Sequence, residues 1–382
     1  MQKINVKNGI DRIDSVLPML SGSKIGLITN PTGVDKNLTS TIDILHSKGL
    51  LYCLFSPEHG IRGDGQAGDA VSDFVDDVTG VTVHSLYNNS RHIPESALNE
   101  IDVVAFDIQD VGSRFYTYTS TLFYAMRDCA KNNKKVVVFD RINPVGGVSP
   151  EGTVLDRRFS SFVGLFPVAT RHNLTVGEYA KYINDVENIG CDLTVVECEG
   201  WKRDCFYDET DLVFIPPSPN MPTIDTCLCY VGTCLAEGTN LSEGRGTVKP
   251  FEILGAPWLD NIRVADEVNK MGLGGVIVRP CSFTPTFSKY QSEKCFGVQL
   301  HITDRRAFKP FETALRLLDY IRKTHSEFEF ILPKNSENPA FVDLLLGTDE
   351  WRKDGFDVDS FLEKQNEKLK SYHEKIKEYY IY

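Results

Sequence analysis

Five short, mostly apolar runs constrain this chain more than any other feature: Lys24-Ile-Gly-Leu-Ile-Thr29, Leu50-Leu-Tyr-Cys-Leu-Phe55, Ile101-Asp-Val-Val-Ala-Phe106, Lys135-Val-Val-Val-Phe139 and Leu193-Thr-Val-Val196. Apolar residues at successive positions in runs this short describe strands buried on both faces. Helical stretches separate them. Residues 39–48 and 120–131 read as helices, and Thr175-Val-Gly-Glu178 has the capping-box pattern. The helix it opens carries Tyr179, Tyr182, Ile183 and Val186 on one face. This alternation predicts an α/β fold with a doubly wound, mostly parallel sheet.

A length of 382 residues exceeds what one hydrophobic core usually supports, so two domains are expected. We place the boundary near residue 240, giving a first domain over 1–240 and a smaller α+β domain over 241–382. In the second domain residues 274–279 and 297–302 read as strands, and residues 311–323 as a helix with Pro310 near its first turn. The chain ends in a charged amphipathic helix opened by Ser360-Phe-Leu-Glu363.

In doubly wound sheets ligands sit beyond the carboxyl ends of the strands. Those ends carry unusual sequences here: Asn30-Pro-Thr, Ser56-Pro-Glu-His-Gly60, Asp107-Ile-Gln-Asp110 and Asp140-Arg-Ile-Asn-Pro144. Folding alone does not explain four polar strand ends, which mark a site.

The richest segment is Ser56-Pro-Glu-His-Gly-Ile-Arg-Gly-Asp64, which crowds Glu58, His59, Arg62 and Asp64 at one strand end. A carboxyl in a partly desolvated cleft can serve as a general acid; an ion pair with Arg62 that only fixes the loop is the structural alternative. The second cluster is Asp107-Ile-Gln-Asp-Val-Gly-Ser-Arg-Phe-Tyr-Thr-Tyr118. In it Arg114 can grip a carboxylate through two parallel hydrogen bonds. Tyr116 and Tyr118 could flank a sugar ring, although packing explains them as well, and the aspartates could cap the next helix. The third is Glu237-Gly-Thr-Asn-Leu-Ser-Glu-Gly-Arg-Gly-Thr247, a long glycine-rich loop of the kind that is commonly functional.

Several classes are disfavoured. Forty-one basic against fifty-three acidic residues give a net charge of -12, unsuited to generic nucleic-acid binding. No apolar run approaches the ~20 residues of a membrane span. No GxGxxG follows the first strand, no metal-ligand spacing appears among the eight histidines, and no GxSxG elbow is present. We therefore expect no cofactor and no metal. The ten cysteines form no CxxC pair, and the N-terminus lacks a secretory pattern. The expected location is the cytoplasm, or the periplasm or exterior if a leader was removed. Carboxylates with arginines in one cleft suit glycoside hydrolysis, in which two carboxyl groups share the acid and nucleophile or base roles.

These motifs, with Pro-Pro-Ser-Pro-Asn220-Met-Pro-Thr, together resemble the exo-β-N-acetylmuramidase family NamZ, long catalogued as a domain of unknown function. The likeness runs from about Gly9 to the C-terminal helix and includes Phe283-Thr-Pro-Thr-Phe-Ser-Lys289. It implies a Rossmann-like catalytic domain, an auxiliary domain and a cleft between them. It also implies release of terminal N-acetylmuramic acid from small peptidoglycan fragments, with Glu58 as an essential carboxylate. The second catalytic group stays open among Glu243, Glu237, Asp110 and the substrate's own acetamido group. Asn30, His59, Arg62, Arg114, Tyr116, Asn220, Glu237, Asn240 and Arg245 form the expected substrate-binding set. Arg62 and Arg114 rank first, ahead of Arg245, for the lactyl carboxylate that separates muramic acid from glucosamine. The alternative is a catalytically silent muropeptide sensor on the same scaffold, although a sensor would need an arginine and not Glu58.

Overall fold

The computed structural model describes residues 3–58, 60–62, 73–86, 91–335 and 337–382; His59 and Asp64 lie outside them. Twelve strands are found among these residues: β1 (Ile25–Thr29), β2 (Leu51–Ser56), β3 (Phe74–Val75), β4 (Thr82–Ser85), β5 (Val103–Asp107), β6 (Lys135–Phe139), β7 (Glu151–Val154), β8 (Ala169–Arg171), β9 (Leu193–Val196), β10 (Ile253–Ala256), β11 (Val276–Phe283) and β12 (Cys295–Ile302). The helices are α1 (Leu17–Leu20), α2 (Thr41–Ser47), α3 (Glu95–Glu100), α4 (Tyr118–Lys131), α5 (Val176–Val186), α6 (Ile224–Thr233), α7 (Asn261–Lys270), α8 (Pro310–Thr324), α9 (Phe341–Leu346) and α10 (Val358–Ile376).

All five apolar runs become strands of one sheet, in the order β3-β4-β2-β1-β5-β6-β9. Pairing is parallel throughout except at the edge strand β3. Because side chains alternate along a strand, each continuous run feeds two cores. Ile25, Leu27, Leu54, Val137 and Phe139 join Leu45 of α2 on one face. Ile28, Phe55, Val136 and Val138 join Leu122 and Met126 of α4 and Ile183 of α5 on the other.

The rest of the chain adds an antiparallel sheet, β10-β12-β11, and the hairpin-like pair β7-β8. Helix α6 shows no amphipathic period, because Ile224, Cys227, Leu228, Cys229 and Val231 are all buried; pattern reading passes over such a helix. It crosses α8 so closely that a Cβ on Gly232 would lie 2.3 Å from the Pro310 carbonyl. Leu228, Leu315, Trp351, Tyr372 and Ile376 belong to the same apolar cluster as the sheet's second face. The C-terminal helix begins earlier than Ser360: Asp357 caps it by accepting from Ser360 N at 2.9 Å.

The crevice where this sheet type usually binds nucleotides is filled. Beyond β1, β5 and β6, the side chains of Asn8, Thr32, Gln109 and Arg141 close on a residual space of about 10 Å³, room for about one water. Arg141 reaches Asp107 at 2.5 Å and 2.9 Å, and both are buried. Most of the polar strand ends therefore bind one another. Asp140 likewise accepts from Thr175 Oγ1, Gly177 N and the Tyr382 hydroxyl, each at 2.7 Å.

Candidate active site

Among the described residues, the end of β2 borders an open cleft. The chain leaves β2 at Ser56, and Pro57 delivers Glu58 to the floor of a cleft of about 590 Å³. Thr117, which precedes α4, donates its hydroxyl to Glu58 Oε2 at 2.8 Å. The Tyr118 hydroxyl bridges the Pro217 carbonyl, at 2.9 Å, and the Glu58 carbonyl, at 3.4 Å. Asn30 supports the same junction: its Oδ1 accepts from Thr32 N and its Nδ2 donates to the Pro217 carbonyl at 3.3 Å. Asn30 thus holds the cleft wall and does not line it.

The opposite wall comes from the short helix Cys234–Gly238 and the glycine-rich loop after it. Arg245 donates to Glu237 at 2.7 Å and lies 3.2 Å from Glu243. Glu243 also pairs with Lys289 at 3.1 Å, whose ammonium donates to the Ala236 and Leu241 carbonyls at 2.8 Å and 2.9 Å. Burial pushes the Glu237 carboxyl up from the ordinary range; the Arg245 guanidinium pulls the other way, and neighbouring Glu243 adds to the rise. Tyr116, Tyr230, Phe251 and Asn220 line the space between, with Phe341 and Leu344 of α9 at one side. The Tyr116 hydroxyl, beside Ser218, completes no well-formed hydrogen bond.

The cleft selects among the residues singled out in the sequence. Glu58, Tyr116, Asn220, Glu237 and Arg245 line it. Asp110 does not: it is buried, accepts from Gly112 N at 2.6 Å and pairs with His172 at 3.0 Å, because the turn after β5 needs an acceptor there. Arg114 is 1% exposed and donates to the carbonyls of Thr153, Val168 and Leu345, so it ties three segments together and stands outside the cleft lining. Its burial lowers the guanidinium to about 10. Arg62 is held by two-bond pairing to Asp76 and lies outside the cleft lining. Asn240 bonds the backbone of Glu327 and Glu329, and Glu243 stands behind Arg245 and not on the cleft surface. His59 lies outside the described residues.

Arg91, Thr117, Tyr230 and Phe251 also line the cleft and were not singled out in the sequence. Arg91 stacks its guanidinium 3.8 Å over the Phe162 ring. It sits in Asn88-Asn-Ser-Arg91, a stretch with no period or spacing to mark it. Among the described residues, no group of three or more His, Cys, Asp or Glu is placed to hold a metal ion.

Comparison with known proteins agrees over the whole chain. The family model described as "Exo-beta-N-acetylmuramidase NamZ, N-terminal" matches residues 25–225, and its C-terminal counterpart matches 228–382. The chain is 43% identical to the peptidoglycan beta-N-acetylmuramidase NamZ of Bacillus subtilis (strain 168), covering 100% of this chain and 92% of that protein. Crystal structures of two DUF1343 family proteins from Bacteroides fragilis NCTC 9343 are similar. One superposes with a TM-score of 0.90 at 34% identity, covering 100% of both chains. The other has a TM-score of 0.79 at 28% identity, covering 99% of each.

Proposed function

Since the chain belongs to the exo-β-N-acetylmuramidase NamZ family, we propose that its cleft holds a terminal N-acetylmuramic acid with Glu58 at the glycosidic oxygen. The protein is a glycosidase of peptidoglycan fragments, releasing β-linked N-acetylmuramic acid from the non-reducing end in cell-wall turnover. Glu58 carries the site assignment, as a strand-end carboxyl that opens into the cleft and is oriented by Thr117. The Thr117 bond occupies Oε2, which leaves Oε1 to carry the proton given to the departing sugar oxygen. Among the described residues Glu237 is the second carboxyl on the cleft surface. It faces the positive charge that grows on the sugar ring, and its pairing with Arg245 fixes its direction.

The experiment is hydrolysis of a chromogenic β-N-acetylmuraminide against the matching glucosaminide. The wild type should prefer the muraminide, and Glu58→Gln should lower turnover at least ~100-fold while folding normally. Near-normal turnover of a folded Glu58→Gln protein on a poor leaving group would remove Glu58 from the acid role. We also propose that the reaction runs in the cytoplasm. Ten free cysteines, nine of them buried, support a reducing compartment; recovery of the protein from culture medium would refute it.

A further inference from the structure

Asn220 borders a second space as well as the cleft. A second hollow of about 650 Å³ begins at that residue and is walled by the loops around Pro219–Pro222, Gly246–Pro250 and Phe283–Phe287. Asn220 lines both spaces, and the glycine-rich loop divides them, with Arg245 on the cleft side and Gly246 on the other. Unlike the charged cleft, this hollow presents apolar surface: Phe287 is 41% and Val248 88% exposed.

The wall is built and not a loose loop tip. Thr286 donates both its N–H and its hydroxyl to the Gly246 carbonyl, at 2.9 Å and 3.0 Å. Gly246 has φ +77°, and a Cβ there would come within 2.7 Å of Phe287 backbone atoms. Lys289, two residues after Phe287, anchors the other end on the Glu237–Glu243 loop. Ser288 and Tyr290 take left-handed φ of +71° and +56°, conformations that non-glycine residues rarely hold unless their surroundings impose them. The fold thus fixes an exposed aromatic ring beside the catalytic cleft.

We propose that this hollow is the subsite for the leaving saccharide, with a pyranose ring laid by its C–H face against Phe287. This rests on the muramidase reading, since the leaving group needs a space next to the donor cleft. A sugar ring combines an apolar face with a polar rim, which matches one exposed aromatic ring and the Asn220 amide at the junction. The bond to be cleaved then lies near Asn220, where the two spaces meet.

Two substrates separate the subsite from the donor site: the N-acetylmuramyl–N-acetylglucosamine disaccharide and N-acetylmuramyl β-fluoride, whose leaving group is a single atom. Phe287→Ala should lower kcat/KM on the disaccharide by roughly tenfold, mainly through KM, while the fluoride changes less than about twofold. Phe287→Trp should recover most of the loss. Equal loss on both substrates, or no loss on either, would overturn the subsite. Failure of the wild type to cleave either substrate would refute the muramidase reading instead, and the subsite with it.

Discussion

Arg91 and Arg245 are the arginines that line the cleft among the described residues, and they are placed differently. Arg245 lies between Glu237 and Glu243, so two carboxylates already answer its charge. Arg91 stands at the wall with its guanidinium 3.8 Å from the centre of the Phe162 ring, a cation–π contact. Since Arg245 is committed to those carboxylates, we propose that Arg91, the other arginine of the described cleft lining, receives the lactyl carboxylate. Arg91→Ala should weaken muraminide hydrolysis by roughly 2–5 kcal/mol of transition-state binding and lower the muraminide-to-glucosaminide ratio. Arg62→Ala should leave that ratio unchanged, because its partner is Asp76. A ratio unmoved in Arg91→Ala and lowered in Arg62→Ala would reverse the assignment. Arg245→Ala should act through Glu237 instead. Losing the guanidinium that holds the carboxyl down raises its pKa further, so the limb of the pH–rate profile it controls should move to higher pH. An unmoved limb would exclude Glu237 from the titrating pair.

At the scale of elements, the last residues of the chain brace the sheet. Beyond α10, the Tyr382 hydroxyl donates to Asp140 at 2.7 Å and accepts from Cys198 N at 2.7 Å. Ile381 N donates to Glu178, the capping residue of α5, at 2.8 Å. Tyr380 packs under the Arg203 guanidinium at 3.4 Å. The end of strand β6 and helix α5 are thereby stapled to a segment 242 and 203 positions later. Tyr382→Phe keeps the ring and strips a donor from a buried carboxyl, which should cost about 1–3 kcal/mol. Urea unfolding checks this, and a change within ~0.5 kcal/mol would show that the contact adds nothing. At the other end of α10, Asp357→Ala should cost about 1 kcal/mol through loss of the cap.

Across the whole molecule, buried carboxyls set the response to pH. Burial raises Asp140 to about 6, against the hydrogen bonds from Gly177, Thr175 and Tyr382. Burial likewise raises Glu151 to about 7, against nearby Arg171 and the first N–H groups of α8. The folded protein therefore holds protons that the unfolded chain releases near pH 4. That stabilisation is complete below about pH 4 and is lost as pH rises through 6 to 7. Asp156, held near 2 by its Arg158 partner, acts in the opposite sense, but only at far lower pH. Tm should thus decline from pH 5 to 7, and Glu151→Gln should flatten the decline; an unchanged slope in that variant would contradict the account. Activity should survive EDTA and dialysis, since the charged groups of the described cleft lining are two carboxylates and two arginines, with no histidine or cysteine beside them. Restoration of lost activity by a divalent ion would overturn that.

Five of the sheet's seven strands were legible in the sequence because strands buried on both faces are apolar at most positions; β3 and β4, two and four residues long, carry no such run. The placement of Glu58 just past a strand end was legible because proline and glycine flank it within a long motif. Helix α6 was not, since a helix buried all round has no polar face to give it a period. Nor could the motifs rank their own charged residues. Arg114 and Arg245 look alike in sequence, yet three carbonyls from distant segments enclose the first and the cleft receives the second. Glu237 and Glu243 share one loop, and only the packing of Lys289 against it sends one carboxylate inward and leaves the other on the cleft wall. A local pattern sets which residue types gather at a strand end. Which of them meets the substrate depends on the carbonyls and charges that other parts of the chain bring to each one, and those contacts exist only in the tertiary structure.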